Sequence, residues 1–185
     1  MSFNVLVISE DSTKDQHILG PLASRLLREC GKPNANVLVW ANLKIRGFEH
    51  VRDYLPAIVR RYGYYDLFLS LPDADGNHQG RAVLFANLEA AHGPKLICCA
   101  AVEEVEAWLP AGHIDKLDRS WAAVRADTSV KENVFNLFLE THGNPDSPGG
   151  GREELMQQTL TNLRGLLEHC PELERLQQRI CEALA

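Results

Sequence analysis

Six carboxylates stand just after short apolar runs, and their placement suggests one piece of chemistry. Glu10 closes the run from Asn4 (NVLVISE). Asp73 and Asp75 follow Leu67 to Leu71 (LFLSL), and Glu103, Glu104 and Glu106 follow Lys95 to Ala101 (KLICCAA). If these runs are parallel strands, three sets of acids meet at the carboxyl edge of one sheet, where α/β folds bind their ligands. Like charges gathered there repel one another at low dielectric. A hard divalent cation removes that cost, and a carboxylate-only set suits Mg2+ or Mn2+. Were residues 102 to 111 helical, Glu103 and Glu106 would share one face, with Glu104 turned about 100° away into solvent.

Other groups fall near these acids. His78 lies just past Asp75, within reach of a phosphate or a metal. Arg81, five residues after Gly76, suits neutralisation of a phosphate. Lys131 and Arg152 belong to the second half and would reach the site only if that half folds back. A loose basic stretch, Lys44, Arg46, Arg52, Arg60 and Arg61, offers a track for a phosphate backbone.

Several familiar arrangements are excluded, and one is a weaker rival. An EF-hand loop starting at Asp73 needs glycine at its sixth position and glutamate at its twelfth, whereas this chain has Gly76 fourth and Leu84 twelfth. Ser9 and Ser70 have no histidine in a nucleophile arrangement. Gly149-Gly150-Gly151 lacks the Lys-Ser/Thr of a phosphate-binding P-loop. A receiver-like phosphoacceptor domain matches the acids after the first strand (Glu10, Asp11) and Asp73 after the third. It also needs a hydroxyl after the fourth strand, where this chain has Ala100-Ala101, and a lysine after a fifth.

The elements that must position these groups are legible. Asn4 to Glu10, Asn36 to Ala41 (NVLVWA), Leu67 to Leu71 and Lys95 to Ala101 read as strands, the first two buried on both faces. Thr13 and Gln16 fit a capping box. Behind them Ile18, Leu19, Leu22, Ala23, Leu26, Leu27 and Cys30 form one apolar helical stripe, with Gly20-Pro21 expected to kink or delay its first turns. Phe48 to Tyr62 and Gly80 to His92 are the next helices. Strands alternating with helices predict an α/β fold with a mainly parallel four-stranded sheet and right-handed crossovers. Beyond it come predicted helices at Val102–Ala111, Asn133–His142 and Glu153–Ala185, the last interrupted at Cys170-Pro171. The expected division is a core over 1–112 and a helical extension over 113–185, packed on the core or on a partner. Trp108 is expected in the core.

Composition narrows the class. The 185 residues carry a net charge of −6. Residues 1–92 hold ten basic and ten acidic side chains, and residues 93–185 hold nine and fifteen. Bulk electrostatics therefore do not favour nucleic acid, and work on phosphates would need metal ions, a local basic patch or a basic partner. No apolar run approaches the ~18 residues that span a bilayer. The N-terminus lacks the basic and apolar regions of a signal peptide. Five cysteines without a C-x-x-C pair argue against a disulfide framework or a zinc cage, and for the cytoplasm.

Ser9-Glu10-Asp11 after one strand and Pro72-Asp73-Ala74-Asp75-Gly76 after another resemble the two motifs of the TOPRIM domain of topoisomerases, primases and overcoming-lysogenization-defect nucleases. Glu106-Ala107-Trp108-Leu109 after the fourth strand, and a helical tail containing Cys170-Pro171-Glu172-Leu173, resemble the small RloB-like TOPRIM proteins, often linked with defence against foreign DNA. The chain departs from them at Asp11, where glycine is common. The resemblance implies a Rossmann-like catalytic core in which Asp73 and Asp75 hold Mg2+ or Mn2+. Glu10 would act as general acid/base or as ligand to a second ion, and Glu106 would complete the shell with Glu103 one turn earlier. It implies phosphodiester hydrolysis, with DNA favoured over RNA, a separate ATPase subunit, a role in anti-phage defence, and room for a homo-oligomer. The alternatives are a non-catalytic interaction subunit whose acids hold a structural ion, or the receiver-like domain.

Overall fold

The computed structural model describes residues 2–41 and 47–185. Four parallel strands, β1 (Asn4–Ile8), β2 (Asn36–Val39), β3 (Leu67–Ser70) and β4 (Leu96–Cys98), lie in the order β2-β1-β3-β4. Helices α1 (Ser12–Glu29), α2 (Phe48–Arg61) and α3 (His78–His92) make the crossovers. The result is a Rossmann-like α/β fold. Side chains alternate across each strand. Val5, Val7, Leu67, Leu69 and Ile97 therefore enter one apolar layer with α1. Leu6, Ile8, Phe68 and Leu96 enter the other with Val51, Leu55 and Ile58 of α2 and Phe85 of α3.

The second half packs on the α1 face. Short helices α4 (Trp121–Arg125) and α5 (Asn136–His142), the latter continuing a wide turn at Lys131–Phe135, are followed by α6 (Arg152–Thr159), α7 (Leu163–His169) and α8 (Pro171–Leu184). Met156, Leu166, Leu173, Leu176 and Ile180 share one cluster with Val5, Ile18 and Leu22. Trp108 is fully buried there, as its sequence context predicts. Its Nε1 donates to Glu172 Oε1 at 2.9 Å, and Arg125 donates to both oxygens of the same buried carboxylate at 2.8 and 2.9 Å. Among the described residues no helix is long and apolar enough to cross a membrane.

Several elements differ from expectation. β2 is an edge strand, half exposed rather than buried on both faces, and Leu38 is 49% exposed. An apolar run reports strand propensity but not its place in the sheet. α1 begins at Ser12, capped by Asp11, whose carboxylate accepts the N–H groups of Thr13 and Lys14; no Thr13 capping box forms. The helix runs through Gly20-Pro21 to Glu29. Residues 102–111 form no α-helix, only 3-10 turns at Val105–Trp108 and Pro110–Gly112. The last helical region breaks at Leu160–Asn162 as well as at Cys170. Against the expectation from cysteine count, Cys30 at the end of α1 and Cys181 in α8 are disulfide-bonded, their Cα atoms 4.8 Å apart.

β4 ends the sheet in a particular way. The N–H of Cys98 donates to Glu89 Oε1 at 2.7 Å, and Arg179 Nη1 donates to the Cys98 carbonyl at 3.0 Å. Arg179 Nη2 and Glu89 Oε1 bond each other at 2.7 Å.

Candidate functional site

The chain leaves β1 toward β2 on one side and returns to β3 on the other. The crevice of such a sheet opens at the carboxyl ends of β1 and β3, where the winding reverses. Glu10 lies just past β1 and Asp73 just past β3, so the topology brings these two acids together. Glu10 Oε1 accepts the Asp73 N–H at 3.1 Å, and Asp73 Oδ1 accepts the Val105 N–H at 2.8 Å. A parallel bridge pairs Asp73 with Ala101, and the N–H groups of Ala74 and Asp75 donate to the Glu103 carbonyl. The segments after β3 and β4 are thereby laced into one rim.

That rim carries backbone strain. Asp75 (φ 49°) and Glu103 (φ 63°) are in the left-handed region, as is Gly76 (φ 71°). Aspartate tolerates this conformation; glutamate does so less readily. Left-handed residues of this kind cluster at ligand sites.

Glu103 and Glu106 consequently do not share a helix face. The turn at Glu103 sends its carboxylate toward His78, with Nε2 at 3.5 Å. Glu106 is 1% exposed and pairs with Lys131 Nζ at 2.6 Å. Lys131 apart, neither of its oxygens has a hydrogen-bond donor among the described residues. Glu104 is not the solvated bystander expected from helical spacing: its Oε2 accepts the Lys131 N–H at 2.8 Å, and burial raises its pKa. Two glutamates thus hold one lysine, by backbone and by side chain, and Lys131 does fold back to the acids.

Asp75 pairs with Arg81 Nη2 at 3.2 Å, and its charge still reaches Glu10. The Arg81 guanidinium lies 3.2 Å from the centroid of the Phe48 ring. Arg152 is not at the site. It donates to the Gly149 carbonyl at 2.6 Å and stacks over Phe135, anchored in the glycine loop. The basic track is also corrected. Lys44 and Arg46 lie outside the described residues. Arg52 is paired with Glu49 and Asp53 on its own helix. Arg60 and Arg61 occupy the last turn of α2, at the amino end of the sheet, away from the acids.

One acid of the cluster has no counterpart among the expected site residues. Asp15, in the first turn of α1, is 4% exposed, and its Oδ2 accepts the Asp11 N–H at 3.1 Å. It continues the apolar stripe of Ile18, Leu19 and Leu22 toward the helix start, and a carboxylate on an apolar stripe was the available signal.

Burial, then the neighbouring Glu10 and Glu106 charges, pushes the Asp73 carboxyl up to about 9. Burial and Asp75 push Glu10 up to about 7, while burial and Glu106 push Asp15 up to about 7. Lys131 and Arg81 oppose these shifts without cancelling them. An acid whose folded pKa exceeds its unfolded value stabilises the fold fully below the unfolded pKa, and that stability is lost as pH rises through the folded value. Metal-free protein should therefore melt on the order of 10 °C lower at pH 9 than at pH 5. Calorimetry at several pH values reads this directly, and a flat profile would mean that the carboxylates are solvated.

Among the described residues, no group of three or more His, Cys, Asp or Glu is arranged to hold a metal ion as it stands. The donor chemistry nonetheless fits a hard cation. Asp73 is an oxygen donor within electrostatic reach of Glu10, Asp15 and Glu106, and among the described residues buried Glu106 has no partner but Lys131. Comparison with known proteins gives no match: neither a protein-family model, nor a curated protein, nor a solved structure aligns significantly with the chain.

Proposed function

We propose that the protein is a metal-dependent nuclease whose acid rim at the β1/β3 crevice holds Mg2+ or Mn2+. One observation carries the reading: a surplus of buried carboxylates at a topological switch point, with Glu106 lacking any donor but Lys131 among the described residues. Asp73, Glu106 and Glu10 would hold the cation, with Asp15 behind them. When bound, the cation supplies phosphoryl polarisation and a water acidified for attack. Glu10, which accepts the Asp73 N–H, would stand at that cation as a ligand or as general acid/base. Arg81 would trade Asp75 for a substrate phosphate, a charge-assisted exchange. Lys131 holds Glu106 in place and limits the negative charge of the rim.

Phosphodiester chemistry, DNA in preference to RNA, a separate ATPase subunit and anti-phage defence come to this reading from the resemblance of the Glu10 and Asp73–Gly76 motifs to TOPRIM proteins. The compartment would be the cytoplasm, against which the Cys30–Cys181 disulfide counts, since such bonds are rare there. A second reading, a non-catalytic interaction subunit, is favoured by the Arg81–Asp75 and Lys131–Glu106 pairs, which already offset part of the charge.

The test is cleavage of single- and double-stranded DNA and RNA with millimolar Mn2+ or Mg2+. The expected result is cleavage that chelator stops, accompanied by a metal-induced rise in melting temperature. A thermal shift without cleavage of any substrate would favour the interaction subunit. Neither effect would remove the metal site itself.

A further inference from the structure

A groove of about 380 Å3 runs between α3 and α8 across the outer edge of β4. Its size suits one nucleotide-sized ligand. It joins the acid rim without a break, because His78 and Arg81 belong to both: His78 approaches Glu103 and Arg81 pairs with Asp75, and both line the groove. The walls divide by chemistry. The exposed side chains of Ala82 and Ala86 give an apolar section, floored by the buried Phe85 and Leu176.

The charges of the groove are unequal in availability. Glu89 is bonded by Arg179 and by the Cys98 N–H, and Glu172 by Arg125 and Trp108. Both acids are thus neutralised by partners. Arg175 is exposed on α8, lines the groove, and makes no salt bridge among the described residues. In a chain of net charge −6, an unpaired guanidinium beside an apolar slot and next to the acid rim is a local exception that fits an anionic, aromatic ligand.

We infer that this groove is a nucleotide subsite that holds one unstacked base of a single strand over Ala82 and Ala86, above the Phe85 and Leu176 floor, with an adjoining phosphate on Arg175. The inference rests on the nuclease reading and deepens it, naming unpaired nucleic acid as the substrate form. A base inserted here must be free of its partner strand, since the groove has room for about one nucleotide. The strand then passes His78 and Arg81 on its way to the acids. Stacking and phosphate contact are the two terms by which proteins bind single strands without reading sequence.

The test uses the full chain in chelator, so that binding is read without cleavage. A fluorescent, 5′-phosphorylated single-stranded deoxyhexanucleotide is titrated at fixed salt and followed by anisotropy. Arg175→Ala should weaken binding about 10-fold, and Arg175→Lys should recover part of it. Ala86→Trp, at an exposed position that leaves the core alone, should weaken it comparably by filling the slot. Circular dichroism melting confirms that all three fold. These effects support the groove even if the wild type fails to cleave with Mn2+, a result that would remove only the nuclease reading. Unchanged affinity in Arg175→Ala and Ala86→Trp, or no saturable binding by the wild type, overturns the groove, whether or not cleavage occurs.

Discussion

Asp73→Asn is expected to lose nuclease activity on the order of 100-fold or more while raising the melting temperature at pH 8 without metal. The two effects have one cause. With its carboxyl pushed up to about 9, Asp73 is held in an environment that disfavours its charge, and at pH 8 the folded protein must take up a proton that the unfolded chain does not carry. Asparagine removes that cost and still presents Oδ1 to the Val105 N–H. It also removes a charged donor for the cation. Activity down and stability up would mark a residue kept for function against the interest of the fold. Activity measured beside calorimetry at pH 8 gives both numbers. A variant both less active and less stable would mean that Asp73 is chiefly a structural carboxylate fastening the β3 and β4 loops.

Lys131→Met should cost on the order of 3 kcal/mol at neutral pH, because it leaves the buried Glu106 charge uncompensated, while the lysine itself is 27% exposed. Among the described residues Glu106 has no other donor to replace the lysine. Methionine keeps the length of the chain, and the main-chain bond from residue 131 to Glu104 remains available. Millimolar Mn2+ should then raise the melting temperature of the variant more than that of the wild type, since the cation would take the place of the lost ammonium. Denaturant unfolding with and without Mn2+ reads both. A loss below about 1 kcal/mol would put the pair in the class of solvent-screened salt bridges.

The frame was written plainly in the chain. β1 and β3 are buried on both faces and so read as continuous apolar runs, and the stripe from Ile18 to Leu27 declares α1. Placing Glu10 and Asp73 after those strands needed only the direction of parallel crossovers. What was hidden depended on contacts between distant residues or on single backbone angles. The left-handed turn at Glu103 undoes the spacing argument that joined it to Glu106. Lys131 enters the rim because Glu104 and Glu106 both bind it, a relation across more than twenty residues with no local trace. Cys30 and Cys181 lie 151 residues apart, so cysteine spacing could not announce their bond. Arg81 kept its place beside the site, but with Asp75 as partner, because the loop after β3 turns that carboxylate outward.

The pair of side chains on the outer edge of β4 also determines how this molecule can meet others. An uncovered edge strand invites any passing extended segment to continue the sheet, which is how swapped dimers and fibrils begin. Here a newcomer would find the amide and carbonyl of Cys98 already occupied by Glu89 and Arg179. To join, it would have to strip both groups from the backbone and from each other, leaving two charges against an apolar chain. Running a second strand along β4 is therefore opposed at Cys98, the residue where the new ladder would begin to close.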